Sequence, residues 1–250
     1  MSIKTLFQNC HSDKTVVFIH GMASSSDSWK HTETHVQFLG FNTLSLDLSG
    51  HGDSSHLNSY SFYGWIREVI DALDKHNVDP HAVVGHSMGG LIAAGVAHQT
   101  SPEKVLLIDP LLHVPNSLMQ TVIKQVMSHY DNVSAAAISK SHPSWTEPMI
   151  NEELVTLGKW DKSTLDALDS EAGWDIASRY IFNNEHPETL LVKPQRSFLI
   201  PSNYVDTLMK NNINVQVMPN VGHSLHHDNR KGHLMIVEEF LHRNGLSNCD

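Results

Sequence analysis

The stretch His81-Ala82-Val83-Val84-Gly85-His86-Ser87-Met88-Gly89-Gly90-Leu91-Ile92-Ala93-Ala94-Gly95-Val96-Ala97-His98 decides the fold. Its first four residues make a short apolar run of the kind that forms a strand buried on both faces. From Met88 to His98 the residues are small and apolar, which suits a helix packed closely on a sheet. Between the two lies G-x-S-x-G, Gly85 to Gly89. In the context strand–turn–helix this motif is a sharp turn that holds its serine in a strained backbone conformation. Glycines two residues to either side let strand and helix approach without Cβ clashes. The turn lifts the serine oxygen above the sheet, beside helix N–H groups that favour developing negative charge. Ser87 is the candidate nucleophile.

Outward from this turn, short β-like runs alternate with helical patterns. Val16–Ile19, Asn42–Asp47, His81–Val84, Val105–Ile108, Ser197–Ile200 and Val215–Met218 read as strands, with room for an N-terminal edge strand near Ile3–Gln8. Tyr60–His76 sets Trp65, Ile66, Val69, Ile70 and Leu73 on one helical face, and Ile236–His242 closes the chain as a helix. The alternation predicts an α/β fold with a mostly parallel central sheet and helices on both faces. From Leu111 to Pro194 it breaks: the segment carries Trp145, Met149, Trp160 and Trp174 in helix-like runs and no convincing strand. The expected organisation is a core of residues 1–110 and 195–250, with residues 111–194 a helical cap inserted after the strand ending at Asp109. Open α/β sheets bind ligands at the carboxyl ends of their strands, so such a cap would shape the pocket.

Composition narrows the partners. With 17 Lys and Arg against 27 Asp and Glu the net charge is −10, which argues against nucleic acid or an anionic membrane surface. The two cysteines, Cys10 and Cys249, give no disulfide framework and fit a reducing compartment. Met1–Leu6 lacks the apolar core of a signal peptide, and no apolar run approaches the roughly 18 residues of a membrane span. A cytoplasmic monomer or homodimer is expected. The 19 histidines, among them His11, His20, His31, His35, His226 and His227, invite a metal reading. None of them forms H-E-x-x-H or a Cys/His zinc pattern, so neither metal nor cofactor is expected.

Gly85-His86-Ser87-Met88-Gly89-Gly90 after a strand resembles the nucleophile elbow of the α/β-hydrolase superfamily. Phe18-Ile19-His20-Gly21-Met22-Ala23 is similar to that family's H-G loop, and Asp47-Leu48-Ser49-Gly50-His51-Gly52-Asp53-Ser54 resembles its D-x-x-G-x-G-x-S turn at the pocket rim. The resemblance implies an oxyanion hole made by the backbone N–H groups of Met22 and Met88. Val221-Gly222-His223-Ser224, after the last strand, resembles the family's histidine loop and makes His223 the candidate base. An imidazole suits that role because its pKa near neutrality lets it take a proton and return it.

The third member is where the sequence departs from the family. The usual G-x-x-D register falls on Ser202-Asn203-Tyr204-Val205, and Asp206 comes one residue late. Asp206 also reads as a residue of a helix's first turn with Asn203 as N-cap. Asp109, at the end of Val105–Asp109, is the preferred acid and Asp206 the alternative. Its own structural reading is a turn aspartate before Pro110.

Serine, histidine and an acid beside two backbone donors would transfer acyl groups through a covalent intermediate. The expected function is a serine hydrolase acting on a small carboxylic ester. C–C hydrolysis and acyl transfer stay open, as do a catalytically weak ligand receptor on the same fold and a metal enzyme built on the histidines.

Overall fold

The computed structural model describes residues 3–112, 133–169, 172–183 and 186–242. Cys249 and residues 113–132 of the expected insertion lie outside them. One sheet of seven strands runs through the molecule: β1 (Thr5–Gln8), β2 (Thr15–Ile19), β3 (Asn42–Leu46), β4 (Pro80–His86), β5 (Lys104–Ile108), β6 (Glu188–Pro194) and β7 (Asn214–Met218). Their spatial order is β1-β3-β2-β4-β5-β6-β7. β1 pairs antiparallel with β3 and every other pair is parallel. The order reverses between β2 and β4, where Ile19 stands opposite Gly85. That reversal opens a crevice at the strands' carboxyl ends.

The described helices are α1 (Lys30–Phe38), α2 (Phe62–His76), α3 (Met88–Thr100), α4 (Ala135–Ser141), α5 (Glu147–Gly158), α6 (Ala172–Ile181), α7 (Ser202–Lys210), α8 (Leu225–Asp228) and α9 (Arg230–His242). They cover both faces because the strands are apolar on both. Val17, Ile19, Val83, Val105, Leu107 and Leu191 join one buried cluster with Trp65, Ile66 and Leu91. The alternating Val16, Phe18, Ala82, Val84, Leu106, Ile108 and Val192 join another with Trp29, Val36 and Phe240. This period-two division is what a parallel sheet between two helical layers requires. Ser61 caps α2 by accepting a hydrogen bond from the Gly64 N–H, and Asn77 closes that helix in a left-handed conformation.

Three expectations change. The strand expected at Ser197–Ile200 is a loop, in which the Ser197 hydroxyl accepts the N–H groups of Leu199 and Ile200. The strand lies instead at Glu188–Pro194, inside the stretch expected to be cap, and pairs with β5 from Lys104↔Glu188 to Ile108↔Val192. Its apolar centre is only Leu190-Leu191-Val192. Its start is set by an ion pair, Lys104 Nζ to Glu188 Oε2 at 2.7 Å, so the segment reads as loop by composition. α6 also leaves the insertion: Ile176, Ala177, Tyr180 and Ile181 are buried, and Gly95 of α3 leaves room for Ile66 and Ile176. Asn203 is not an N-cap, since α7 begins at Ser202 with Pro201 in the cap position. No helix among the described residues is long and apolar enough to cross a membrane.

Glu33 is buried on α1 and its Oε1 has no hydrogen-bond partner. Burial, with the charge of Asp27 nearby, pushes its carboxyl from 4.5 up to about 7. The folded pKa is the higher one, so the contribution is complete below about pH 4.5 and is lost as pH rises towards 7. A tenfold difference in proton affinity between the folded and unfolded chain is worth about 1.4 kcal/mol. Glu33→Gln is expected to flatten the fall in Tm between about pH 5 and 7.5. Parallel Tm–pH curves for the variant and the parent would count against this account.

Candidate active site

The turn between β4 and α3 sits at the crevice. Ser87 has φ 55° and ψ −121°, a left-handed conformation costly for a residue with a Cβ. Main-chain bonds hold it there. Ser87 N donates to Ile108 O (3.0 Å), while Gly90 N and Leu111 N both donate to Ser87 O (3.0 Å each). A Cβ on Gly89 would run into the carbonyl oxygens of His20 and Ile19, and one on Gly85 into the carbonyl of Gly89. Both glycines are therefore fixed by the closeness of β2, β4 and α3.

His223 reaches the serine from the loop after β7. Its Nε2 lies 3.0 Å from Ser87 Oγ and its Nδ1 lies 2.7 Å from Asp109 Oδ2. A carboxylate only accepts, so Nδ1 carries a proton and Nε2 is left to accept from the serine hydroxyl. Asp109 follows β5 in a left-handed conformation (φ 39°) and its N–H donates to Val192 O at 2.7 Å. It is 1% exposed, whereas the His223 side chain is 33% exposed. The other carboxylate oxygen accepts the Ser197 hydroxyl at 2.5 Å. Asp206 stands exposed on α7. The structure thus brings together Ser87, His223 and Asp109 and leaves Asp206 apart.

Met22 and Met88 face the same cavity as Ser87 and His223. Met88 opens α3, where no preceding helical carbonyl claims its N–H. The loop bearing Met22 is held by His20. The His20 Nδ1–H donates to Gly21 O (2.7 Å), which leaves Nε2 to accept the Leu48 N–H (3.1 Å). Asp47 anchors the rim turn: its carboxylate accepts the N–H groups of Ser26 (2.8 Å) and Asp53 (2.9 Å).

Several contributors were not visible in the sequence. His86 Nε2–H donates to His223 O at 3.0 Å, so the x of G-x-S-x-G buttresses the histidine loop. Burial holds His86 and His226 well below the ordinary histidine range, and His227 falls to about 4 for the same reason. These rings pack as neutral imidazoles: His86 lies tilted against His226 with centroids 4.6 Å apart, and His226 stacks on Trp29 at 5.1 Å. Asp228 Oδ2 accepts the Gly222 N–H (2.7 Å), while its Oδ1 accepts the Trp145 indole N–H (2.8 Å). Trp145, Glu153 and Leu168, from the helical segment between β5 and β6, complete a cavity of about 130 Å³ in front of Ser87. Only the adjacency of His226, His227 and Asp228 to the histidine motif hinted at any of this. Among the described residues no group of three or more His, Cys, Asp or Glu is placed to hold a metal ion.

Such an array can move a proton from a hydroxyl to an imidazole and stabilise the imidazolium. Residues 16–232 match the model of the alpha/beta hydrolase family, and the chain belongs to that family. It is 25% identical over 253 residues to an sn-1-specific diacylglycerol lipase of Mus musculus, covering 90% of this chain and 80% of that protein. It is 26% identical over 149 residues to ethanol acetyltransferase 1 of Cyberlindnera fabianii, covering 57% of this chain and 44% of the other. The chain spans from 34% to 44% of the length of several curated relatives it matches. An esterase of Exiguobacterium antarcticum superposes with a TM-score of 0.76 at 13% identity, over 96% of this chain and 95% of that one, a likeness of fold.

Gly89→Ala is expected to lower stability by about 3 kcal/mol, the upper end of the overpacking range, because backbone rather than a flexible side chain blocks the new methyl. Gly158→Ala, into open space at the end of α5, is the control and should leave Tm level or raised. Equal Tm values for Gly89→Ala and the parent would show that the elbow has slack.

Proposed function

We propose that the protein is a serine hydrolase that cleaves a small carboxylic ester through an acyl-enzyme on Ser87. The observation that carries this reading is the unbroken chain from Ser87 Oγ through His223 to Asp109, at 3.0 and 2.7 Å. Ser87 Oγ attacks the ester carbonyl as its proton passes to His223 Nε2. The carbonyl oxygen gains the charge and is met by the N–H groups of Met22 and Met88. Collapse expels the alcohol, which takes the proton from His223, and water repeats the sequence to release the acid. Asp109 keeps the imidazole in the required tautomer and balances its charge, and Ser197 holds Asp109. The helices between β5 and β6 act as a cap, supported by the positions of Trp145, Glu153 and Leu168 in the cavity wall. The net charge of −10 supports a small-molecule substrate over a nucleic acid.

A fluorophosphonate should label the protein, and Ser87→Ala should abolish both labelling and turnover of short-chain p-nitrophenyl esters. Asp109→Asn should lower kcat by about 10⁴, the cost of a wrong histidine tautomer, whereas Asp206→Asn should leave it unchanged. A folded protein that resists the reagent would favour a ligand receptor on the same fold. An effect of Asp206→Asn as large as that of Asp109→Asn would overturn the assignment of the acid.

A further inference from the structure

Two cavities meet beside the serine. The first, about 130 Å³, holds Ser87 and His223; Leu111, Leu168, Phe198 and Leu199 form the apolar part of its wall, beside polar residues such as Ser224 and His226. The second, about 40 Å³, shares Ser24, Trp145, Glu153 and His227 with the first and continues between Asp27, Lys30, Glu152 and Arg230. The shared residues join the two into one cleft that carries its apolar patch beside Ser87 and its paired charged side chains at the far end, with Glu153 of α5 at the junction.

Glu153 lines both cavities, where a bound ligand can meet its carboxyl. Beyond it the charges cancel. Asp27, Glu152, Lys30 and Arg230 line the same small space, so a head group with net charge finds its own sign among them. A neutral head with several hydroxyls meets no such conflict, since a hydroxyl donates to a carboxylate and accepts from an ammonium or guanidinium group. Ser24 and Ser28 add hydroxyls to the same wall. Burial also pushes the Glu153 carboxyl up to about 7, against the pull of His142. Near neutrality it both donates and accepts.

We propose that Glu153 and the charge-balanced wall beyond it form a polyol subsite, so that the substrates are esters joining a short apolar chain to a neutral, multiply hydroxylated head. The chain lies in the first cavity and the head in the second. This specifies the substrate class of the serine hydrolase proposed above and rests on that reading.

The test uses ethers, which bind without being cleaved, so that recognition is read apart from turnover. By titration calorimetry, 1-O-butylglycerol should bind about tenfold more tightly than butyl methyl ether, one hydrogen-bonded contact's worth, and more tightly than butyltrimethylammonium or pentanoate. Glu153→Leu should erase the preference for the glycerol ether. Glu153→Gln, which keeps a donor and an acceptor, should retain most of it, and an unchanged Tm should show that both variants fold. Equal binding of all four probes, a preference for a charged one, no binding of any, or a preference that survives Glu153→Leu would overturn the subsite. In parallel, kcat/KM for glyceryl monobutanoate should exceed that for ethyl butanoate. Turnover of both esters at one rate, with no ether preference, would sink the polyol subsite and leave the hydrolase. A glycerol-ether preference lost in Glu153→Leu, in a protein that turns over neither ester, would uphold the subsite and sink the hydrolase.

Discussion

The constraint on which the rest depends is the left-handed backbone of Ser87 at the crossing of β4 and α3. An L-residue leaves the favoured region at a cost of order 1–3 kcal/mol and stays there only if its surroundings over-determine it. Here they do, through three main-chain hydrogen bonds to Ile108, Gly90 and Leu111. They also do so through packing so close that Gly85 and Gly89 have no room for a Cβ. The carbonyls that crowd Gly89 belong to β2 and the residue after it, so the serine's position is a property of the sheet, not of its turn. Leu111 N adds the chain leaving β5 to the same anchor, which places Asp109 two residues from a contact with Ser87.

The same logic makes Asp109 a partner rather than a neighbour. Its main chain is tied to β6 through Val192 O, and its carboxylate is divided between His223 and Ser197. β5 supplies the carboxylate, while the loop after β6 supplies the hydroxyl that steadies it. His223 is in turn held from behind by His86 and through Gly222 by Asp228. Desolvation keeps the neighbouring rings neutral, so the imidazole rests against a polarisable cluster without a competing positive charge.

Much of this was legible because two periodicities change at one place. Alternation in β2, β4 and β5 and the small apolar run of α3 each announce themselves locally, and the glycines mark where they meet. β6 was not legible, since three apolar residues between a buried ion pair at Glu188 and a proline at 194 look like loop. Its identity comes from β5 beside it, a partner more than 80 positions away. α6 was hidden likewise: its buried face matters only against Gly95 and Ile66 of other helices. The choice between Asp109 and Asp206 lay open for a related reason. Sequence places each after a strand-like run, and only the true location of β6 decides which strand end faces the histidine loop. Glu153 and Trp145 carried no motif because they act through the shape of a cleft.

Asp228 spans two parts of the molecule. One oxygen grips the main chain next to His223, and the other grips the indole of Trp145 in the wall above the serine. Swinging that indole aside would strip the carboxylate of one of its donors and slacken its hold on Gly222. In the mechanism proposed for Ser87, the cavity wall and the base are therefore fastened at one shared pin.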